Sequence, residues 1–372
     1  MRVLITNFDL SSRGGTQLYV RDLAKTLLAQ GHQPMVYSLG DHGSVAQELR
    51  AATIPVTDNL DTLENKPDII HGNQHVETMT ALLHYPGVPA VYFCHSWKHW
   101  LEGPPIFPRI LRYVAVDDTC YDRLTVEHGI AESKARVILN FVDLQRFKPR
   151  NPLTDRPRRA LVFSNYASEQ THLKVIRQAC LRSSIQLDVV GEAAGKVCET
   201  PELELGKYDI VFAKARCALE AMAVGAAVIL CDAGGSGPMV TARELDQLRR
   251  LNFGIRTLQG PLTVEAIERE IARYDNHDAR AVSQRIRAAA GSDTAIARVV
   301  EVYEEVIAEY SRNGNADLEA EGRAAARYLR QLHSDFTFHG ALTLRWRNRL
   351  LKVPIVGHRL AALQKKVRNP AR

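Results

Sequence analysis

The fold is decided by the stretch Lys214-Ala-Arg-Cys-Ala-Leu-Glu-Ala-Met-Ala-Val-Gly-Ala-Ala-Val-Ile-Leu-Cys-Asp-Ala-Gly-Gly235. Its apolar residues recur at helical spacing up to Gly225, where the glycine ends the predicted helix. A short buried strand over 227–230 and a Gly-Gly turn follow. Glu220 lies within the apolar pattern of the helix, where an unpaired carboxylate would be costly to bury. The sequence therefore predicts a polar partner or ligand for Glu220.

Short apolar runs alternate with helical patterns along both halves of the chain. This alternation predicts an α/β fold with parallel sheets covered on both faces. A stretch with three prolines and scattered charges, 148–159, interrupts the alternation and predicts a linker. Two helices stand out, at 17–30 and 294–312. The predicted strands are 2–7, 34–39, 69–71, 90–94, 113–116 and 136–139 before the linker, and 160–164, 186–190, 210–212 and 227–230 after it.

The run that begins at Glu220 resembles the signature of retaining GT-B glycosyltransferases of family 4, in which Glu-Ala-Met-Ala-x-Gly-x-Pro-Val binds the nucleotide-sugar donor. The segment from Gly14 to His32 looks like the first loop and helix of that family. The resemblance spans about residues 1–312. It implies an N-terminal Rossmann-like acceptor-side domain (1–150), a C-terminal Rossmann-like nucleotide-sugar domain with a crossover helix (151–312) and a donor cleft between them. Residues 313–372 are then a helical basic extension.

Residue roles follow from the resemblance. Glu220 would bind the ribose, His95 the donor sugar, and the loop Gly14-Gly15-Thr16 the diphosphate region, where a helix N-terminus offers free N–H groups. The donor-binding residues thus predicted are Gly14, Gly15, Thr16, Asn165, Gln170 and Glu220, and the catalytic ones are His95, Lys214 and Arg216.

The chain also departs from the family pattern. Phe212 replaces a second glutamate eight positions before Glu220, Pro238 replaces another, and Asn165 and Gln170 fall where relatives place a basic pair on the diphosphate. A departing diphosphate needs cationic or hydrogen-bonding stabilisation. Lys214 and Arg216, at the start of the Glu220 helix, are therefore the candidates to supply the positive charge.

The function implied is transfer of a sugar, of the hexosyltransferase class, from a UDP- or GDP-linked donor to a glycan or glycolipid acceptor with retention of configuration. Synthesis of bacterial surface polysaccharide or lipopolysaccharide is the expected setting. No cofactor and no metal are expected, because no cluster of Cys, His or acidic residues has recognisable ligand spacing. Two alternatives stay open: a non-catalytic nucleotide-sugar-binding protein of the same fold, and a sugar-nucleotide epimerase.

The positive charge of the chain is concentrated at one end. The net charge is +6, yet residues 336–372 contain nine of the 48 Lys and Arg and no acidic residue, so the rest has 39 basic against 42 acidic residues. Leu342, Trp346, Leu350 and Val353 share one helical face before Pro354. This pattern predicts reversible binding to an anionic membrane surface rather than to nucleic acid. Helix packing on the body is the alternative.

The expected location is cytoplasmic, or peripheral on the inner face of the cell membrane. The N-terminal residues enter a strand pattern directly, which argues against a signal peptide. No stretch of about 18 uncharged apolar residues occurs, which argues against a spanning helix. The six cysteines show no disulfide-like spacing, as expected for reduced, buried thiols.

Overall fold

A computed structural model of the chain describes residues 1–313 and 317–351. Within the described residues, positions 1–104 and 109–313 belong to one compact body that contains both sheets. The last helix belongs to a second unit.

The first half of the body is a parallel sheet of seven strands in the order β3-β2-β1-β4-β5-β6-β7. Its strands are β1 (Arg2–Asn7), β2 (Gln33–Ser38), β3 (Val56–Thr57), β4 (Ile69–Gly72), β5 (Ala90–Cys94), β6 (Ile110–Ala115) and β7 (Ala135–Val137). Its helices are α1 (Gly15–Ala29), α2 (Ser44–Ala51), α3 (His75–His84) and α4 (Asp118–Asp122). The parallel sheet predicted for this half is confirmed, with β3 as an additional short edge strand.

The second half contains a sheet of five strands in the order β12-β11-β10-β8-β9. Its strands are β8 (Arg159–Phe163), β9 (Gln186–Val190), β10 (Ile210–Ala213), β11 (Ala227–Asp232) and β12 (Gly235–Met239). The helices that follow in the chain are α5 (Leu173–Arg182), α6 (Pro201–Glu204), α7 (Ala215–Val224), α8 (Leu245–Arg250), α9 (Val264–Ile271), α10 (Asn276–Ala289) and α11 (Ser292–Asn313).

Strand β12 is a difference from the sequence prediction, which ended this region in a turn. It pairs antiparallel with β11, with Asp232 opposite Gly235. Gly235 has φ +149, and a Cβ there would lie 2.7 Å from the carbonyl oxygen of Leu258, so glycine is required. Its sequence, Gly-Ser-Gly-Pro-Met, is poor in strand-forming residues. The proline is tolerated because β12 lies at the edge of the sheet.

Helix α7 forms where the sequence predicts it. Seven consecutive residues from Ala218 to Val224 are buried, and Gly225 ends the helix in the left-handed conformation at φ +105. The buried strand β11 then begins two residues later. The helix therefore presents its N-terminal turn at the carboxyl end of β10, where open α/β sheets bind their ligands.

Helix α11 returns to the first half. Its buried residues Ile296, Val299, Tyr303 and Val306 share a hydrophobic core with α1 and with strands of the first sheet. The helix predicted over 294–312 is thus observed. It follows the second half in the chain, but it packs against the first half.

The extension begins with helix α12 (Leu318–Leu351). Side chains beyond residue 334 and all residues from 352 onward lie outside the described part, and so does the predicted apolar face of Leu342, Trp346, Leu350 and Val353. Of the described helices, none is both long enough and apolar enough to cross a membrane.

Candidate functional site

Glu220 lies in helix α7, and its side chain is only 4% exposed. Arg216 precedes it by one helical turn, and Nε of Arg216 donates to Oε1 of Glu220 at 2.8 Å. The same guanidinium donates to the carboxylate of Asp22, in helix α1 of the first half. Arg216 is therefore the polar partner that the sequence requires for Glu220, and it lies between carboxylates from both halves of the body.

Burial sets the electrostatics of this cluster. It raises the pKa of Glu220, although Arg216 acts in the opposite direction. Burial alone would lower the pKa of Arg216, but Asp22 and Glu220 outweigh it, and the pKa is raised. For Asp22, burial is outweighed by Arg216 and Arg21, and the pKa is lowered. A ligand hydroxyl that reaches Glu220 would meet a desolvated carboxylate, where a hydrogen bond is electrostatically stronger than in water.

The cluster extends further into the first half. Arg21 joins Asp22 at 2.6 Å and Glu48 at 3.3 Å, and its side chain is 2% exposed. Glu48 also pairs with Arg13, in the loop before α1, at 2.5 Å. Nη2 of Arg13 in turn donates to the carbonyl oxygen of Glu199, in the second half, at 3.3 Å. The two halves are thus joined on both sides of the α1 N-terminus.

Lys214 occupies the carboxyl edge of the second sheet. Its ammonium forms an ion pair with the buried Asp232, at the end of β11, and lies 5.3 Å from the ring centre of Tyr166. Oγ of Ser164 lies 3.5 Å from Oδ1 of Asp232. Burial lowers the pKa of the nearby His172, against the charge of Asp232. A ligand phosphate at Lys214 would therefore compete with Asp232.

The glycine loop forms the N-terminus of α1. Gly14 is extended and precedes the first helical residue, Gly15. A Cβ on Gly14 would lie 2.5 Å from Oε1 of Gln17, so a larger residue would displace that side chain. Oγ1 of Thr16 donates to Oε1 of Gln17 at 3.1 Å, and Nε2 of Gln17 donates to Oδ2 of Asp9 at 2.9 Å. The loop is therefore held by its own side chains.

His95 follows strand β5, and its protonation state is fixed by its neighbours. Nδ2 of Asn73 donates to the carbonyl oxygen of Thr6 at 2.6 Å, so Oδ1 of Asn73 faces Nε2 of His95 at 2.8 Å. Nε2 must then carry the proton. Burial lowers the pKa of His95 to about 3, so the ring is neutral and Nδ1 is an acceptor. The ring packs edge-on against Tyr19, at 4.4 Å between centroids.

Comparisons with known proteins identify the class. The family model for Glycosyltransferase Family 4 matches residues 13–146. The chain is a glycosyltransferase with the GT-B fold. A glycosyltransferase structure from Rickettsia africae ESF-5 aligns over 82% of this chain and 98% of its own, with 15% identity and a TM-score of 0.59. A sucrose-phosphate synthase from Thermosynechococcus elongatus aligns over 83% and 99%, with 12% identity and a TM-score of 0.53. No curated protein sequence matches.

The fold brings some of the predicted site residues into contact and leaves others apart. Glu220 and Arg216 are in contact, and Lys214 starts the same helix but pairs separately with Asp232. Asn165 is exposed beyond β8, where its Oδ1 accepts the N–H of Glu192 at 3.4 Å. Gln170 is exposed in the same loop. No contact joins Asn165 or Gln170 to Glu220 in the described residues, so their predicted roles stay predictions.

Phe212, at the position of the missing family glutamate, is 1% exposed within strand β10. It is part of the hydrophobic core, so that position offers no polar group to a ligand. Among the described residues of the glycosyltransferase, no group of three or more His, Cys, Asp or Glu side chains could hold a metal ion.

Several site residues were missed by sequence reasoning. Asp22 and Asp232 supply the carboxylates that pair with Arg216 and Lys214, and Asn73 fixes the tautomer of His95. Asp22 carries a sequence signal, because it is an acid within the apolar pattern of helix α1. Asn73 follows strand β4 directly, at the edge where ligands bind, and that position was its signal.

Proposed function

We propose that this glycosyltransferase transfers a hexose from a UDP- or GDP-linked donor to a glycan or glycolipid acceptor, with retention of anomeric configuration. Synthesis of bacterial surface polysaccharide or lipopolysaccharide is the proposed setting. The observation that carries the proposal is the Glu220–Arg216–Asp22 cluster. It places a buried acid at the carboxyl edge of the second sheet and ties it to the first half.

The proposed chemistry uses groups on both halves. Glu220 accepts hydrogen bonds from the ribose hydroxyls. Lys214 stabilises the diphosphate, whose negative charge grows as the bond from C1 to the phosphate oxygen breaks. The acceptor oxygen forms its bond to C1 on the same face, and its proton passes to the departing phosphate oxygen. His95 accepts a hydrogen bond from a sugar hydroxyl at Nδ1, since Nε2 is committed to Asn73.

A second candidate, nucleotide-sugar binding without catalysis, is favoured by one specific feature. Both candidate cations are already matched by carboxylates, Lys214 by Asp232 and Arg216 by Asp22 and Glu220. Less positive charge is then free for the leaving group. The epimerase alternative has no such support in the geometry of the site.

The test is incubation of the protein with UDP- and GDP-linked hexoses without acceptor, followed by proton NMR of the anomeric signals. We expect slow release of nucleoside diphosphate and free hexose, with the hexose first appearing in the donor configuration. The protein with Glu220→Ala should release less, and the half-buried control Glu204→Ala should match the wild type. A changed sugar still attached to the nucleotide would establish an epimerase. Binding without any turnover would establish the non-catalytic alternative.

We also propose that the acceptor is lipid-linked and that the extension holds the enzyme at an anionic membrane surface. The support is the sequence of residues 336–372, with its nine basic and no acidic residues. A reversible electrostatic attachment would concentrate the enzyme where such an acceptor is located.

A further inference from the structure

A buried carboxyl group lies behind the His95 loop. Glu102 ends a short helical turn (Trp100–Glu102) and is only 4% exposed. Its Oε2 accepts the backbone N–H of His95 at 2.9 Å, and its Oε1 accepts from Nε2 of Gln74 at 3.2 Å. The N–H of Ser96 is also directed at this carboxyl group. The side chain of Glu102 therefore binds the backbone of the His95 loop.

Gln74 extends this connection to another strand. Its Oε1 accepts the backbone N–H of Phe8 at 3.0 Å, which directs its amide nitrogen towards Glu102. Phe8 follows β1, Gln74 follows β4, and His95 follows β5. These three strands are neighbours in the sheet. One carboxyl group thus links the carboxyl-end loops of three adjacent strands, the edge at which an open α/β sheet binds its ligands.

The linked loops carry the residues that hold the imidazole of His95. Asn73, which fixes the tautomer, immediately precedes Gln74 in the chain. A shift of the Glu102 carboxyl group would therefore move the backbone of His95 and the side chain that orients its ring. Small displacements of groups that position a substrate can reduce a rate substantially.

We propose that Glu102 is a positioning residue for sugar transfer, and that it holds the His95 loop in the productive position only when it is ionised. The proposal rests on the sugar-transfer function proposed above. Glu102 acts through His95 and Gln74.

The surroundings of Glu102 make its ionisation responsive to pH near neutrality. Burial raises the pKa of Glu102 to about 7, against the N–H of His95, the amide of Gln74 and the charge of Arg123. Arg123 belongs to the helical turn after α4, and its Nη2 donates to the carbonyl oxygen of His99 at 3.0 Å. Protonation removes the charge that strengthens the accepted hydrogen bonds. It also leaves Arg123 without this counter-charge.

Three histidines and a cysteine are the other titratable groups near the Glu102 turn. The ring of His95 is neutral, because burial lowers its pKa to about 3. His75, at the start of α3, packs its ring on Trp100 at 5.3 Å between centroids. His128 faces the backbone of the residue after Glu102, and burial, followed by the charge of Arg123, lowers its pKa. Cys94 directs its Sγ at the carbonyl oxygen of Glu102, at 4.0 Å.

The kinetic test compares Glu102→Gln with a matched control. The substitution keeps the shape of the side chain and removes its charge at every pH. Glu77→Gln is the control, because Glu77 is also buried, at 1% exposure, and burial raises its pKa to about 6. Glu77 lies on helix α3 and has no hydrogen bond to the His95 loop in the described residues.

We expect the wild-type kcat for sugar transfer to fall about fivefold from pH 8 to pH 6, because most Glu102 carboxyl groups become protonated and the protonated enzyme lacks a charge-assisted hydrogen bond that is worth about tenfold in rate. Glu102→Gln should lower kcat about tenfold at pH 8, change the donor KM little and flatten the profile. Glu77→Gln should retain the wild-type profile. A Glu102→Gln enzyme with the wild-type kcat and profile would overturn the proposal.

A second measurement does not depend on activity. In protein labelled with ¹⁵N-histidine, the backbone amide of His95 can be assigned by its absence from the His95→Gln spectrum. We expect this resonance to titrate with a midpoint near pH 7 in the wild type and in Glu77→Gln, and to stay constant in Glu102→Gln. A wild-type resonance that does not move between pH 6 and 8 would overturn the proposal, even if Glu102→Gln fails to fold. Absence of turnover with a titrating resonance would instead contradict the proposed function.

Discussion

Asp22 and Arg216 are 194 residues apart in sequence and share an ion pair that joins helix α1 of the first half to helix α7 of the second. Asp22 is 7% and Arg216 is 13% exposed at the side chain. Because Arg216 also pairs with Glu220, the Asp22–Arg216 pair places Glu220 at the interface between the two halves. The arrangement of the two halves and the state of the proposed ribose-binding acid are therefore coupled.

Replacing Asp22 should destabilise the protein. Asp22→Asn removes the charge that pairs with Arg216. Among the described residues it leaves the buried Arg21 with Glu48, at 3.3 Å, as its one acidic partner. Loss of one partner from a buried ion pair costs about 3–5 kcal/mol in the free energy of unfolding. Chemical denaturation measures this change.

The matched control is Asp118→Asn. Asp118 pairs with Arg250 of the second half at 2.6 Å, but the Arg250 side chain is 60% exposed. An exposed pair contributes up to about 1 kcal/mol. Equal losses for Asp22→Asn and Asp118→Asn would mean that the Asp22–Arg216 pair is not specially stabilising.

The fold could be predicted from the sequence because its signals are local. The apolar periodicity of α7, the left-handed Gly225 and the buried run of β11 all lie within one segment. The ion pairs could not be predicted from the sequence, because the geometry that brings Asp22 to Arg216 depends on how the two halves meet. Lys214 was expected to supply positive charge to the diphosphate, yet Asp232, 18 residues later, pairs with it because β10 and β11 are neighbouring strands.

Lys214→Ala should lower kcat more than it raises the donor KM. The leaving diphosphate gains charge in the transition state, so a cation at Lys214 stabilises that state more than the bound substrate. Loss of one such contact should lower kcat about 100-fold. Steady-state kinetics measures it, and the exposed Lys207→Ala should have no effect.

A double variant separates the effect of the Lys214 charge on kcat from the effect of the Lys214–Asp232 pair on stability. Lys214→Ala leaves the buried Asp232 unpaired, and adding Asp232→Asn removes that charge. Stability should recover in the double variant while kcat stays low. Recovery of kcat together with stability would show that Lys214 has only a structural role.

His95 should make stability depend on pH. Its folded-state pKa is about 3, against the ordinary value of 6.5. Below pH 6.5 the unfolded chain binds a proton that the folded chain does not, so this contribution to stability is lost as pH falls from 6.5 towards 3. Between pH 6 and 5, wild type should lose about 1.2 kcal/mol more than His95→Gln. Parallel denaturation curves for the two proteins would contradict a neutral His95.

The basic extension should bind anionic vesicles. Each basic residue near an anionic surface contributes about 1 kcal/mol, and residues 336–372 contain nine. Full-length protein should sediment with anionic vesicles at low salt and less at high salt, and protein that ends at residue 335 should stay in solution. Equal sedimentation of both proteins would rule out the extension as the anchor.

Calorimetric binding of UDP and GDP to wild type and to Glu220→Ala tests the proposed ribose contact of Glu220 directly. Arg216 keeps Asp22 in this variant, so the fold should persist, which a matching circular dichroism spectrum would verify. Loss of hydrogen bonds from the ribose to a charged group should weaken nucleotide affinity about 10- to 150-fold. We expect that loss for whichever nucleotide the wild type binds. Unchanged affinity in a folded variant would contradict the assignment of Glu220 as the ribose-binding acid.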